Sequence, residues 1–206
     1  NAAGQAKPSG IQVGSGTRIV STPTVFSQGV LEQTGRDLDV AIEGEGFFPV
    51  NLANGQVAYT RGGSLSINES GQFVTQSGDE VDLGVTVPPG VQSLSVSSSG
   101  VVSGIAPGDA DVQEFGQIQV TTFPNPSGMR NLGRNLFQET QASGAPTASN
   151  PGEDAAGTLR QGFLEGSNVN IAEELIRMIL AQRGFEMNSK VVRTSEDIMS
   201  ALNQMR

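Results

Sequence analysis

Cysteine, histidine and tryptophan are absent from these 206 residues, and there is a single tyrosine. Without the first two there are no thiol nucleophiles, no disulfides, none of the usual zinc ligands and no imidazole to act as general base. Aromatic residues make up only 5% of the chain, so its core has to be thin or β-branched. Basic residues are few and nowhere gather into a patch, and the net charge is −9. That balance argues against nucleic acid or an anionic membrane as a partner. No stretch approaches the roughly 18 apolar residues of a membrane-spanning helix. The first residues, Asn1-Ala2-Ala3-Gly4-Gln5, show no basic-then-apolar signal pattern, and the lack of an initiator Met leads us to expect a processed or truncated piece.

Motifs that would carry chemistry are equally sparse. Gly14-Ser15-Gly16 lacks both the third glycine and the strand-to-helix setting of a dinucleotide fingerprint, and reads as a turn. Gly44-Glu45-Gly46 leads into a strand, where glycine serves a tight backbone path. The acidic groups Asp79-Glu80-Asp82 and Asp109 with Asp111 do not have EF-hand spacing and read as solvated charge. Asn68-Glu69-Ser70 fits the glycosylation pattern but sits where a hairpin has to turn. There is no G-x-S-x-G elbow and no S-x-x-K motif. No catalytic, cofactor-binding or metal-binding residue is assigned, and the chain is not expected to be an enzyme.

What is present is a β pattern followed by a long helix. Residues 1 to 36 are rich in Gly, Ser, Thr and Gln, with β-prone pieces at Thr17-Val20 and Thr24-Phe26, and read as an extended connector. From 37 to 125 short alternating strands are separated by frequent turn residues, the pattern of an all-β domain. Asn54-Gly55 predicts a hairpin with both turn residues at positive φ, joining Phe47-Leu52 to Val57-Thr60. A second hairpin is expected from Leu65-Ile67 through residues 68–71 into Phe73-Thr75. Val81, Leu83, Val85 and Val87 alternate as one strand up to Pro88. Leu94 with Val96, Val101 with Val102 and Ile118 with Val120 complete the sheet. Residues 126–166 read as a loose second connector with short β pieces, and 167–206 as a C-terminal helix.

That helix carries Ile171, Leu175, Met178, Phe185, Val192 and Met199 at steps of three, four or seven, the spacing of a coiled-coil seam that Gln182, Ser189 and Glu196 interrupt. Glu173, Arg177, Arg183, Glu186, Lys190, Arg193 and Asp197 occupy the remaining faces. Asn170 is placed to cap the first turn, with Glu173 reaching back to the cap amide. An isolated helix of this kind is marginal, because each large side chain left in water forfeits about 1.5–3 kcal/mol. A partner helix is required.

Several segments in order resemble the bacterial flagellar rod and hook family, and the resemblance spans nearly the whole chain. Ser27-Gln28-Gly29, Leu31 and Gln33-Thr34-Gly35 are similar to the stretch that precedes the family's β domain. Asp39-Val40-Ala41-Ile42-Glu43-Gly44-Glu45-Gly46-Phe47-Phe48, then Tyr59-Thr60-Arg61 with Gly63-Ser64, resemble its most typical motif. Gln161-Gly162, Leu164-Glu165, Ser167-Asn168-Val169-Asn170 and the segments on to Asn188-Ser189-Lys190 resemble its terminal helix, the last favouring the distal part of the rod. Gly62, Leu65 and Gly184 depart from the pattern, and the family's N-terminal helix is not in this sequence, so the resemblance implies that the natural protein carries more sequence before Asn1.

The resemblance implies a structural subunit, exported by the flagellar type III apparatus and stacked helically into the distal rod, the straight shaft that carries torque from motor to hook. It implies copies of itself, proximal rod proteins, the hook protein and the surrounding P and L rings as partners, at the basal body where the rod crosses the periplasm towards the outer membrane. It places inner packing on the helix seam and neighbour contacts on the β domain. Two rival readings are a proximal rod or hook subunit of the same family, and an acidic extracellular module that binds calcium or a glycan. A hook subunit would normally carry further outer β domains between the connectors, and the single short β domain here argues against it.

Overall fold

A computed structural model describes residues 24–108 and 111–204, and shows sixteen strands followed by one helix. The Gly14-Ser15-Gly16 turn, the Thr17-Val20 piece and Asp109 lie outside the described residues. Strand β1 is Leu31–Gln33, β2 is Val40–Glu43, β3 is Phe48–Asn51 and β4 is Val57–Thr60. Strands β5 (Leu65–Ile67), β6 (Phe73–Thr75) and β7 (Glu80–Val81) follow, then β8 (Gln92–Val96), β9 (Val101–Ile105) and β10 (Val112–Gln117). After β11 (Val120–Thr122) and a 3-10 turn at Pro126–Gly128 come β12 (Arg130–Gly133), β13 (Leu136–Gln138), β14 (Thr147–Ser149), β15 (Thr158–Gln161) and β16 (Phe163–Glu165). The helix α1 runs from Ile171 to Gln204.

Tight turns set much of the register. At residues 52–56, 68–72, 75–79 and 97–101 the same hairpin recurs. The first residue's amide donates to the fifth residue's carbonyl, while the fourth, Gly55, Gly71, Gly78 or Gly100, has positive φ and donates back to the first. This is a type I turn closed by a left-handed glycine, the common three-residue hairpin loop. It corrects the expectation for Asn54, whose φ is not positive. Its Oδ1 instead accepts from the Gln56 amide at 3.0 Å, holding the turn from outside.

The largest sheet has the order β12-β13-β4-β3-β7-β6-β5, and its paired strands are antiparallel. A second sheet is β10-β9-β8, and three two-stranded pairs, β1-β16, β11-β14 and β15-β2, close the body. Residues 126–166 therefore differ from the expected loose connector: β13 extends the main sheet beside β4, β14 pairs with β11, and β15 pairs with β2 in the register Thr158↔Glu43. Residues 81–87 differ in the other direction. Val81, Leu83, Val85 and Val87 are buried in alternation, yet only Val81 lies in a strand, because Gly84 takes a positive φ and breaks the ladder.

The core is β-branched in the main. Val40, Ile42, Val50, Val102, Ile118 and Val120 pack with Phe48, Leu65 and Phe73 in one cluster. Phe47, one residue before β3 and bridged to Thr121, packs apart from Phe48, in a largely aromatic cluster with Tyr59, Phe123, Met129 and Phe137. Burial raises the Tyr59 phenol above its ordinary value of 10.0, and the Glu139 carboxylate adds to the effect. The unfolded chain thus releases this proton near pH 10 while the folded chain still holds it, so the contribution of Tyr59 to stability is fully present below pH 10 and is lost as pH rises further. Because Tyr59 is the only tyrosine and there is no tryptophan, phenolate absorbance reads it alone. The expected result is a titration midpoint above pH 10 in the folded chain that returns to the ordinary value in denaturant.

Candidate assembly surface

Helix α1 has 34 residues and none of them is buried. Asn170 caps it, its Oδ1 accepting from the Ala172 amide at 3.1 Å while its carbonyl accepts the first helical bond from Glu174. Glu173 does not return to the cap amide as expected. Its carboxylate lies 4.0 Å from Arg177, one turn onward, and Arg177 is also bonded by Glu174 at 2.8 Å. The cap therefore rests on Asn170.

The structure places Ile171, Leu175, Met178, Phe185, Val192 and Met199 together along one side of α1, each more than half exposed, with Ile171 and Phe185 both at 75%. A second apolar stripe was not anticipated. Ile176, Met187 and Ile198 are spaced by eleven residues, as are Leu180, Val191 and Leu202, and all six are exposed. At about 100° per residue this second stripe lies roughly 150° around the helix from the first, closing to about 100° towards the C-terminal end, where Val191 and Val192, and Ile198 and Met199, are neighbours in sequence. On a helix of 3.6 residues per turn the heptad seam and the eleven-residue stripe drift around the axis in opposite directions, each by about 20° per repeat. The signal was present in the sequence, but a search for heptads passes over it. Together with the exposed Ile179, which falls between them, the two stripes leave apolar side chains around most of the helix circumference, more than one partner helix covers.

Of Asp39, Gly44, Gly46, Phe47, Phe48, Tyr59, Thr60 and Arg61, the two glycines, Phe47 and Arg61 meet at the neck that joins α1 to the β body, while Phe48 lies in the main core and Tyr59 in the aromatic cluster. At the neck β1 pairs with β16, Leu31 opposite Glu165, and the Gly166 amide donates to the Val30 carbonyl at 2.8 Å. Asn168 Nδ2 donates to the carbonyls of Val25 and Ser27 at 3.1 and 2.9 Å, tying the two chain segments together beyond the strands. Phe26 stands edge-on to Phe47 and Phe137, with ring centroids 5.4 and 4.9 Å away.

The Gly44-Glu45-Gly46 turn lies beneath. Both glycines have positive φ, and a Cβ on Gly46 would collide with Val120. Arg61 donates from one of its terminal nitrogens to the Gly44 carbonyl at 2.7 Å, from the other to the Gly46 carbonyl at 3.3 Å, and from Nε to Glu165 Oε2 at 2.6 Å. Glu165 Oε1 accepts from the Gly29 amide at 2.8 Å. Gln28 grips the same turn from the other segment, accepting from the Gly44 amide and donating to the Ile42 carbonyl, both at 3.2 Å. Asp39 is buried, accepts from Thr34 Oγ1 at 2.7 Å, and lies 3.5 Å from the Arg36 guanidinium. Thr60 Oγ1 donates to the Asn135 carbonyl at 2.9 Å, anchoring β4 to the β12–β13 turn.

Of the acidic residues, Asp79 pairs with Arg134 at 3.4 Å, and among the described residues no three His, Cys, Asp or Glu side chains are grouped to hold a metal ion. Among the described residues no helix is long and apolar enough to cross a membrane.

Comparison with known proteins matches residues 41–104 to the family model for the flagellar hook protein FlgE/F/G D1 domain. Residues 160–205 match the model for the flagellar basal body rod FlgEFG protein C-terminal region. The flagellar basal-body rod protein FlgG of Buchnera aphidicola from Schizaphis graminum is 45% identical over 96% of this chain and 76% of its own length. FlgG of Caulobacter vibrioides is 42% identical over 98% of this chain and 78% of its own. FlgF of Escherichia coli, also a flagellar basal-body rod protein, is 33% identical over 90% and 75%.

Proposed function

Because this chain belongs to the family of flagellar basal-body rod proteins, we propose that α1 is the surface by which it assembles, buried on both of its apolar stripes in the wall of the distal rod. The chain is a structural rod subunit of the flagellar basal body. The observation that carries the assembly reading is a 34-residue helix with no buried residue and thirteen large apolar side chains in solvent. Left uncovered, each of those side chains forfeits about 1.5–3 kcal/mol.

In this reading Ile171, Leu175, Met178, Phe185, Val192 and Met199 pack against one helix, and Ile176, Leu180, Met187, Val191, Ile198 and Leu202 against another. Contacts between unlike faces that do not close into a ring continue as a helical polymer. The β body forms the outer layer. A straight drive shaft built this way transmits torque from motor to hook, meeting proximal rod proteins at one end and the hook protein at the other, and it turns inside the P and L rings as it crosses the periplasm. Distal position is favoured over proximal by the higher identity to FlgG relatives than to FlgF.

Immunogold labelling of an epitope in the exposed 153–154 loop tests the position, using purified basal bodies. Label along the straight shaft on the hook side supports it, and label confined to the motor side or to the hook itself contradicts it.

A further inference from the structure

We infer that Arg61 and Glu165, with Gln28, are positioning residues that lock the helix-bearing neck to the β body through the Gly44–Gly46 turn. Three guanidinium nitrogens reach three acceptors on two separate parts of the chain, two carbonyls of one turn and the carboxylate at the end of β16. That carboxylate uses its second oxygen on the Gly29 amide, so one side chain joins both strands of the neck to the guanidinium. The pair is well enclosed, with Arg61 15% and Glu165 11% exposed in their side chains, where an ion pair is little screened. Gln28 completes the grip by bonding the opposite side of the same turn.

Close backbone packing leaves the joint little room to flex. A Cβ on Gly29 would collide with the Gly166 carbonyl, so the two neck segments pass at the smallest separation that glycine permits. Lysine at 61 would keep the charge but could not span three acceptors in fixed directions. The network thus fixes the direction in which the chain leaves the body towards α1. In a torque-bearing shaft it passes twist between the helical wall and the outer layer without a soft hinge.

The chain has no cysteine, so paired spin labels can be placed at will. One pair, at Val112→Cys and Val169→Cys, spans the neck, and a second, at Val57→Cys and Val112→Cys, lies within the β body; all three positions are exposed. Distances are measured by pulsed electron paramagnetic resonance on monomeric chain, so failure here leaves the rod-subunit reading untouched. In Arg61→Lys, and in the double variant Arg61→Gln/Glu165→Gln that leaves no unpaired charge, the neck distribution is expected to broaden about twofold while the body pair stays narrow. Unchanged neck width in both variants overturns the inference. So does equal broadening of both pairs, which would mean that the body had lost its fold.

Discussion

Replacing Phe185 and Val192 together by aspartate is expected to abolish swimming while leaving the β body as stable as before. Both side chains are exposed in the single chain, at 75% and 56%, so the substitutions remove nothing from the body. Exposed changes away from caps and packing sites usually shift stability by no more than about 0.5 kcal/mol. In an assembled wall the same residues face a neighbouring helix, where each loses about 1.5–3 kcal/mol of burial and adds a carboxylate that has no partner. The loss recurs at every subunit, and a polymer held by repeated contacts cannot absorb it. Val191→Asp with Ile198→Asp, on the second stripe, is expected to have the same outcome, because that stripe is covered too. The checks are swimming of a null strain carrying each variant, and the thermal transition of the purified variant. Normal swimming by either double variant would show that its stripe is not an assembly surface.

Phe47→Ala carries the largest expected cost within the β body, about 3–5 kcal/mol, the range for removing a buried phenylalanine. Phe47 is 2% exposed and makes edge-on contacts with Phe26, Phe123 and Phe137. Alanine opens a cavity between strands that cannot close, since the Phe47 backbone is bonded to Thr121 in both directions, at 2.8 and 2.9 Å. Against a total of roughly 5–15 kcal/mol for a domain, that is a large fraction. The urea midpoint is expected to fall with an unchanged slope, and an unchanged midpoint would show that the aromatic cluster is dispensable. Phe26 loses a contact as well, so the segment leading to β1 loosens first.

Local chemistry made some of this structure readable in advance and non-local chemistry hid the rest. The hairpins at 52–56 and 68–72 were legible because a turn is decided within five residues, even though the turn type at Asn54 was not. The regular spacing from Ile171 to Met199 shows in the sequence that these side chains share one side of α1, whereas heptad spacing does not pick out Ile176, Leu180, Met187, Val191, Ile198 and Leu202, whose period is eleven. Strands β12 to β16 gave little signal. Arg130–Gly133 and Thr147–Ser149 show no apolar alternation, and they become strands only by pairing with β13 and with β11. Their order is set by partners elsewhere, as β15 is by β2. The neck was hidden for the same reason. Arg61 and Glu165 are 104 positions apart, and nothing near either residue announces the other.

Electron cryomicroscopy of purified rods tests the assembly surface most directly, by showing what covers α1. The expected density has Phe185 and Val192 packed against one neighbouring helix, Val191 and Ile198 against another, and the β body outside. Density in which α1 lies on the outer surface of the shaft in solvent, or folds back along its own β body, would contradict it.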